Sequence, residues 1–166
     1  MTCGCQNSTG EFEVKMMKEA VKLSRDKMMD GAGGPFGALV VKDGEILSKG
    51  FNQVTSVNDP TAHAEIDAIR KACHRLGTYD LSGCDIYTSC EPCPMCLGAI
   101  YWAHLDKIYY ASSRDEAVVA GFQDAFIEDE LVKPVAQRKI PMIRVPVEGA
   151  MLPFELWLEK ADKKLY

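Results

Sequence analysis

The feature of this chain that most constrains its fold is a pair of short motifs, TAHAEID and EPCPMC. They supply His63, Cys93 and Cys96, which can share a metal ion only if two distant parts of the chain converge. Cys93 and Cys96 are spaced by about one helical turn, so their sulfurs lie on one side of a helix. Pro92 and Pro94 favour the start of that helix, where a missing N–H costs little. The fold must therefore bring two motif-bearing segments to one point.

The residue types explain this spacing, since a catalytic zinc takes three protein ligands and leaves a fourth tetrahedral position for water. Glu65 then remains close to the metal and is suited to deprotonate that water. A helix N-terminus carries partial positive charge, which favours the thiolates that zinc requires. We therefore expect His63, Cys93 and Cys96 to hold one zinc ion, with Glu65 as the general base. The pattern H-x-E…P-C-x-x-C is typical of zinc-dependent deaminases.

Other metal sites stay open at this point. The run C-x-x-C-x-x-C that begins at Cys90 is like that of iron–sulfur proteins, although no further cysteine follows it closely. A structural zinc site would need a fourth ligand, for which Cys90, His74 and His104 are the nearby candidates. Neither alternative has a use for Glu65.

The composition agrees with a small soluble enzyme. The chain of 166 residues has 47% hydrophobic and 26% charged residues, which is ordinary for one globular domain covering 1–166. We expect residues 1–10 to be flexible. A net charge of −5 without a basic cluster argues against nucleic acid as a partner, and no long apolar run indicates a membrane. The odd number of cysteines and the lack of a signal peptide favour the cytoplasm.

The hydrophobic pattern predicts an α/β fold. Helical spacing covers 11–30, 61–76, 92–104 and the C-terminal segment, and AGFQDAFIEDELVK indicates a loop followed by a short helix. Strand-like runs are FGALVV and EILSKGF, joined by a tight turn at Asp43 and Gly44, followed by CDIYTS, KIYYAS and IPMIRVPV. This order predicts a three-layer α/β/α fold, in which helices flank a central mixed sheet of about five strands.

Four stretches make the chain resemble the guanine deaminase family of the cytidine deaminase-like superfamily: GGPFGALVVKDG, NDPTAHAEIDAIRKAC, YTSCEPCPMCLGAIYWA and AGFQDAFI. The similarity runs from about Gly33 to Tyr166. It implies a cytidine deaminase-like fold and hydrolysis of guanine to xanthine and ammonia, a step of purine salvage or catabolism. It also implies a homodimer, with C-terminal segments that can be swapped between subunits. Guanosine deaminase is the closest alternative, and a tRNA adenosine deaminase or a non-enzymatic zinc module is more remote.

The same resemblance assigns side chains to the purine base and to the leaving amine. The backbone amide near Ala64 would also orient the base. The implied roles are hydrogen bonding to the base by Asn52, shaping or stacking in the pocket by Phe36 and Trp102, protonation of the amine by Asp124, and a lid formed by Tyr166 within 150–166.

Each of these residues has a plainer interpretation. Phe36 and Trp102 could be core aromatics, and Asn52 follows a strand, where it could be a turn residue. Asp124 could cap the helix that follows it, and the C-terminal tyrosine could be a frayed end. Gln123 stands where the family often carries a second acidic residue, which leaves the mechanism intact but bears on substrate preference.

Overall fold

The computed structural model describes residues 10–165, which form two compact units that divide between Ala125 and Phe126. Nearly all of the N-terminal segment that we expect to be flexible lies outside the described residues. Tyr166, the residue expected to act as a lid, also lies outside them. The expectation of one domain over 1–166 stays a prediction.

The first unit alternates helices and strands. The predicted long helices are confirmed, but two of them begin two or three residues later than expected. The elements are α1 Glu11–Met29, β1 Gly37–Lys42, β2 Glu45–Phe51, α2 Val54–Val57, α3 Ala64–Leu76, β3 Cys84–Cys90, α4 Pro94–Trp102, β4 Lys107–Ser112 and α5 Arg114–Val119.

The central sheet has four strands in the order β2-β1-β3-β4. β1 pairs antiparallel with β2 and β3, whereas β3 pairs parallel with β4, so the predicted mixed sheet is confirmed. The prediction of about five strands is wrong, because 140–147 forms no strand in the structure. Pro141 and Pro146 bracket that segment and lack the N–H groups that a sheet ladder needs. The predicted tight turn is confirmed: Asp43 and Gly44 both adopt positive φ, of 50° and 80°.

Helices cover both faces of the sheet, which confirms the predicted α/β/α layers. Successive side chains of a strand point to opposite faces, and β1 is buried on both. Ala38 and Val40 pack with buried side chains of α3 and α4, whereas Leu39 and Val41 pack against Met16 of α1 and its neighbours. The starts of α3 and α4 therefore share one face of the sheet.

Contact between α3 and β2 is unusually close at Gly50. A Cβ atom built there would lie 2.1 Å from the carbonyl oxygen of Ala64 and 2.4 Å from the backbone nitrogen of Ala68. One turn of the helix thus rests directly on the strand. Ser48 fixes the same helix by donating a hydrogen bond of 2.7 Å to the carbonyl of Ala68.

The second unit contains most of α6 Ala125–Val132, a 3-10 turn at Val135–Gln137 and α7 Leu152–Glu159. Both predicted helices are confirmed, although the last one ends earlier than expected. Its described residues include none that is buried, and large apolar side chains such as Ile143, Phe154 and Leu158 are exposed. Across residues 10–165, no helix combines the length and the apolar character needed to cross a bilayer.

Candidate active site

The helix starts at α3 and α4 bring the three predicted metal ligands together. His63 and Cys93 are the N-cap residues of the two helices, and both have extended backbone conformation. Cys96 lies one turn into α4 and is fully buried. The Nδ1 atom of His63 lies 3.7 Å from the sulfur of Cys93 and 3.5 Å from the sulfur of Cys96. The expected convergence is therefore present in the structure.

This donor set fits a tetrahedral metal ion. With Zn–N near 2.0 Å and Zn–S near 2.3 Å, tetrahedral geometry places nitrogen and sulfur about 3.5 Å apart. Among the described residues, His63, Cys93 and Cys96 form the one cluster whose ligand atoms suit a metal, all within 4.8 Å of one another. Cys90, which could have been a fourth ligand, instead directs its sulfur to the carbonyl of Ser113 at 3.6 Å. A three-ligand site is thus the arrangement that the geometry favours.

Hydrogen bonding divides the two thiols between different protonation states. The bond shared with Cys96 holds the pKa of Cys93 far below its usual value, at about 4, and His63 adds to the effect. The same bond, together with burial, raises the pKa of the Cys96 thiol. The hydrogen bond with Cys93 in turn raises the pKa of His63. Binding of a divalent metal by all three groups must therefore displace protons.

Glu65 is the second residue of α3 and is buried, with 7% of its surface exposed. Burial raises the pKa of its carboxyl group above the ordinary value, because a charged carboxylate is poorly solvated there. A raised pKa suits a group that must accept and return a proton near neutral pH. The carboxyl group also faces the cavity described next, as expected for a general base.

A cavity of about 320 Å³ opens over these residues within the first unit. Its polar lining includes His63, Glu65 and Asn52, and its size is within the range typical of small-molecule sites. Phe36 also lines it, in edge-to-face contact with Phe122 at 4.7 Å between ring centres. Phe36 is therefore part of the cavity wall.

Asn52 is buried and has a defined orientation. Its Oδ1 atom accepts hydrogen bonds from the backbone N–H groups of Gly34 at 3.3 Å and Val54 at 3.2 Å. Because both partners are donors, the atom that faces them must be the oxygen rather than the amide nitrogen. The Nδ2 group is then left to offer hydrogen-bond donors at the cavity.

Asp124 lines the same cavity and is adjacent to Gln123, which also lines it. Its Oδ1 atom is buried without a hydrogen-bond partner among the described residues. Such an atom usually costs stability unless a water or a ligand supplies the donor. Asp124 is close enough to the metal-ligand cluster to raise the pKa of His63 slightly through its charge.

Three expected substrate contacts have different outcomes. Trp102 is absent from the cavity lining and is 66% exposed, because it ends α4, about 12 Å along the helix axis from the ligand end. Ala64 is the first residue of α3, where a backbone N–H has no acceptor within the helix. Tyr166 lies outside the described residues.

Sequence reasoning missed Phe122, Glu91 and Arg114 in the cavity wall. Phe122 stood inside the AGFQDAFI stretch, but nothing in the spacing showed that its ring would meet Phe36. Glu91 directly follows β3 and Arg114 comes two residues after β4, and these two strands are parallel neighbours. Their meeting could have been anticipated, because parallel strands end at the same edge of a sheet.

Comparison with known proteins identifies related sequences and structures. Residues 11–112 match the family described as cytidine and deoxycytidylate deaminase zinc-binding region. The chain is 53% identical to the guanine deaminase of Bacillus subtilis, over 90% of this chain and 96% of the relative. It is 47% identical to the tRNA-specific adenosine deaminase of Aquifex aeolicus, over 70% of this chain and 74% of that protein.

The solved structures agree. An X-ray structure of Bacillus subtilis guanine deaminase superposes with a TM-score of 0.90 at 52% identity, covering 92% of this chain and 98% of that one. The protein NE0047 in complex with 2,6-diaminopurine gives a TM-score of 0.64 at 34% identity, over 68% and 62% of the two chains. The ligand geometry, the buried glutamate and these similarities together lead to one conclusion: the chain belongs to the zinc-binding cytidine and deoxycytidylate deaminase family.

Proposed function

We propose that this protein is a guanine deaminase that hydrolyses guanine to xanthine and ammonia. The observation that carries the proposal is the convergence of His63, Cys93 and Cys96 beside the buried Glu65, at the base of a cavity lined by Asn52 and Asp124. The 53% identity to a guanine deaminase and the purine analogue bound by NE0047 support guanine as the base.

One zinc ion per chain would be held by His63, Cys93 and Cys96, with water in the fourth position. When bound, zinc lowers the pKa of a coordinated water towards neutrality and orients it. Glu65 is not a ligand in this arrangement, so its carboxylate is available to take the proton of that water as the oxygen adds to C2 of guanine.

Proton transfer then passes through the carboxyl groups of the chain. As the oxygen bonds to C2 and that carbon becomes tetrahedral, Glu65 delivers its proton to the ring nitrogen N3. Glu65 then takes the remaining proton from the oxygen on C2 and passes it to the amino group, which also donates a hydrogen bond to Asp124, as the carbon–nitrogen bond breaks and the C2 carbonyl forms. The products are ammonia and xanthine. The partnerless oxygen of Asp124 is suited to this contact.

Base recognition follows from the donors that the cavity presents. With its oxygen engaged by Gly34 and Val54, Asn52 can offer only N–H donors. Guanine has two adjacent hydrogen-bond acceptors, O6 and N7, whereas adenine has the acceptor N7 next to an amino group that donates. Asn52 thus favours guanine, with Phe36 against the ring and the backbone N–H near Ala64 as a further donor. We do not include Trp102 in the site of its own chain.

The enzyme would be a homodimer in which the C-terminal segments can be swapped between subunits. Tyr166, at the end of this segment, would close over the substrate. The exposed apolar side chains of the second unit support a partner surface, because a soluble chain rarely leaves so many uncovered. We further propose a cytoplasmic enzyme of purine salvage or catabolism that acts on a small purine base and on neither nucleic acid nor membrane.

Ammonia release tests substrate choice directly. The zinc-loaded protein is assayed with guanine, guanosine, cytosine, adenine and an adenosine-containing tRNA loop, and guanine should react fastest. Faster turnover of guanosine would mean that the substrate is the nucleoside and not the free base. Faster turnover of the tRNA loop would favour the activity named for the Aquifex aeolicus relative.

A second experiment tests the roles at the metal. Glu65→Ala should keep about one zinc per chain but lose ammonia release, since a base is needed for turnover and not for metal binding. Glu45→Ala removes an exposed carboxylate at the start of β2 and should change neither quantity. Loss of zinc from Glu65→Ala would contradict the assignment.

Two further measurements test the C-terminal segment and the dimer. Deleting the last few residues should reduce turnover if Tyr166 is essential. Light scattering measures whether the protein is a dimer in solution.

A further inference from the structure

The loop that carries the first cysteine ligand is tied to the start of α5. Glu91, at the beginning of this loop, donates its backbone N–H to the carbonyl of Ser112 at 2.9 Å. Its carboxylate accepts a hydrogen bond of 3.2 Å from the backbone N–H of Arg114. The loop between β3 and α4 is thereby held against the segment that follows β4.

The side chain of Arg114 adds the contact nearest to the metal ligand. Its Nη2 atom lies 3.2 Å from a carboxylate oxygen of Glu91 and 3.4 Å from the carbonyl oxygen of Pro92. The Arg114 side chain is only 14% exposed, so solvent screens these charge-assisted bonds less than it would at the surface. The carbonyl of Pro92 belongs to the same planar peptide as the nitrogen of Cys93. A guanidinium that fixes this carbonyl therefore also fixes the backbone of Cys93.

We infer that Arg114 is a positioning residue for the zinc site: through the Pro92 carbonyl it holds Cys93 in its ligating position, and Glu91 orients the guanidinium. This inference rests on the proposed zinc site. Residues behind the first ligand shell commonly set metal affinity by fixing the orientation of the ligands.

The sheet itself does not need this contact. The ladder between β3 and β4 runs to the pair Cys90 and Ser112, and Arg114 lies beyond its end. Another ion pair between the same strands, Asp85 with Lys107 at 3.9 Å, lies at the opposite end of the ladder and is largely exposed on the lysine side. It joins the same two strands without approaching the ligand loop, so it supplies a matched control.

Zinc affinity is the measurement that separates positioning from general stabilisation. The dissociation constant is measured by competition with a chromophoric chelator for the wild type, Arg114→Gln, Arg114→Lys and Lys107→Gln. Arg114→Gln should bind zinc about tenfold more weakly, as is typical when an outer partner of a metal ligand is lost. Arg114→Lys keeps the positive charge and should lie between it and the wild type, and Lys107→Gln should match the wild type.

Urea unfolding with and without zinc provides the second readout. A tenfold weaker affinity corresponds to about 1.4 kcal/mol, which should appear as an extra loss of stability in zinc-saturated Arg114→Gln beyond its loss in chelator. Equal losses in both conditions, or an unchanged dissociation constant, would overturn the positioning role. If Arg114→Gln does not fold, Glu91→Gln decides: it should weaken zinc binding by a smaller factor, and unaltered binding overturns the inference. A wild type that binds no zinc would instead refute the proposed site.

Discussion

Replacing Gly50 by alanine should displace α3, the helix that carries Glu65, because the added methyl group would collide with the backbone of that helix. The added Cβ would lie 2.1 Å from the carbonyl oxygen of Ala64 and 2.9 Å from the Cα of Ala68. Both neighbours are backbone atoms of α3, which cannot rotate away as a side chain could. Ala64 stands between His63 and Glu65, so any shift of this turn moves both the metal ligand and the general base.

The expected effect is large on both stability and turnover. For the new Cβ to lie even 3.4 Å from the carbonyl oxygen of Ala64, which is still a tight contact, α3 must move by roughly an ångström. Overpacking of this kind costs about 3 kcal/mol when the obstacle is backbone. A displacement of about 1 Å at catalytic groups can lower turnover about a hundredfold. Gly50→Ala should therefore lose both stability and activity.

Urea unfolding and ammonia release from guanine at saturating zinc measure these two effects. Gly98→Ala is the matched control, since it adds the same methyl group to the other ligand-bearing helix, where its Cβ has no neighbour within 4 Å. Alanine there should raise stability by about 0.5–1 kcal/mol, because glycine is unfavourable within a helix. A Gly50→Ala variant with the stability and turnover of the wild type would refute the close packing of α3 on β2.

Three further outcomes are expected. Phe122→Ala removes the edge contact with Phe36 at 4.7 Å and should raise KM for guanine about fivefold, measured by steady-state ammonia release, with a smaller change in kcat. Zinc binding to chelator-treated protein in weak buffer should release at least about one proton, because Cys96 is held protonated by the bond to Cys93, and an indicator dye reports it. Hydrogen bonds from Thr61 lower the pKa of Asp59, so its stabilising effect is present above the ordinary value of 3.8 and is lost as the pH falls through the lower folded-state value. Asp59→Asn should therefore flatten the acid side of the unfolding free energy, measured by urea titration at several pH values.

The chemistry of the site could be predicted from the sequence because it is encoded locally. Cys93 and Cys96 are about one helical turn apart, and Glu65 is only two residues from His63, so the short spacing within each motif keeps its residues close together. The prediction erred on the helix starts: His63 and Cys93 are N-cap residues rather than members of the first turn. A proline or a turn near a helix start shifts the first helical residue without changing the hydrophobic pattern that predicts the helix.

Contacts between residues far apart in the sequence were harder to predict. Trp102 was expected in the pocket, but a helix of nine residues separates the ligand end from its last residue. The edge contact of Phe122 with Phe36 and the bond from Arg114 to Pro92 join segments whose meeting depends on strand order. The expected fifth strand is a different case, because the apolar pattern of 140–147 resembles a strand while Pro141 and Pro146, both visible in the sequence, remove N–H groups that a sheet ladder needs.

Two carboxyl groups in the cavity indicate that stability is given up for chemistry. Burial raises the pKa of Glu65, so ionising it disfavours the folded chain, and the buried oxygen of Asp124 lacks a partner. An unsatisfied buried acceptor costs about 1–3 kcal/mol, which the amino group of a bound base would offset. Asp124→Ala should therefore leave the unfolding free energy unchanged or higher in urea titration, while ammonia release falls about a hundredfold or more. A clear loss of stability would instead assign Asp124 a structural role, such as capping the helix that follows it.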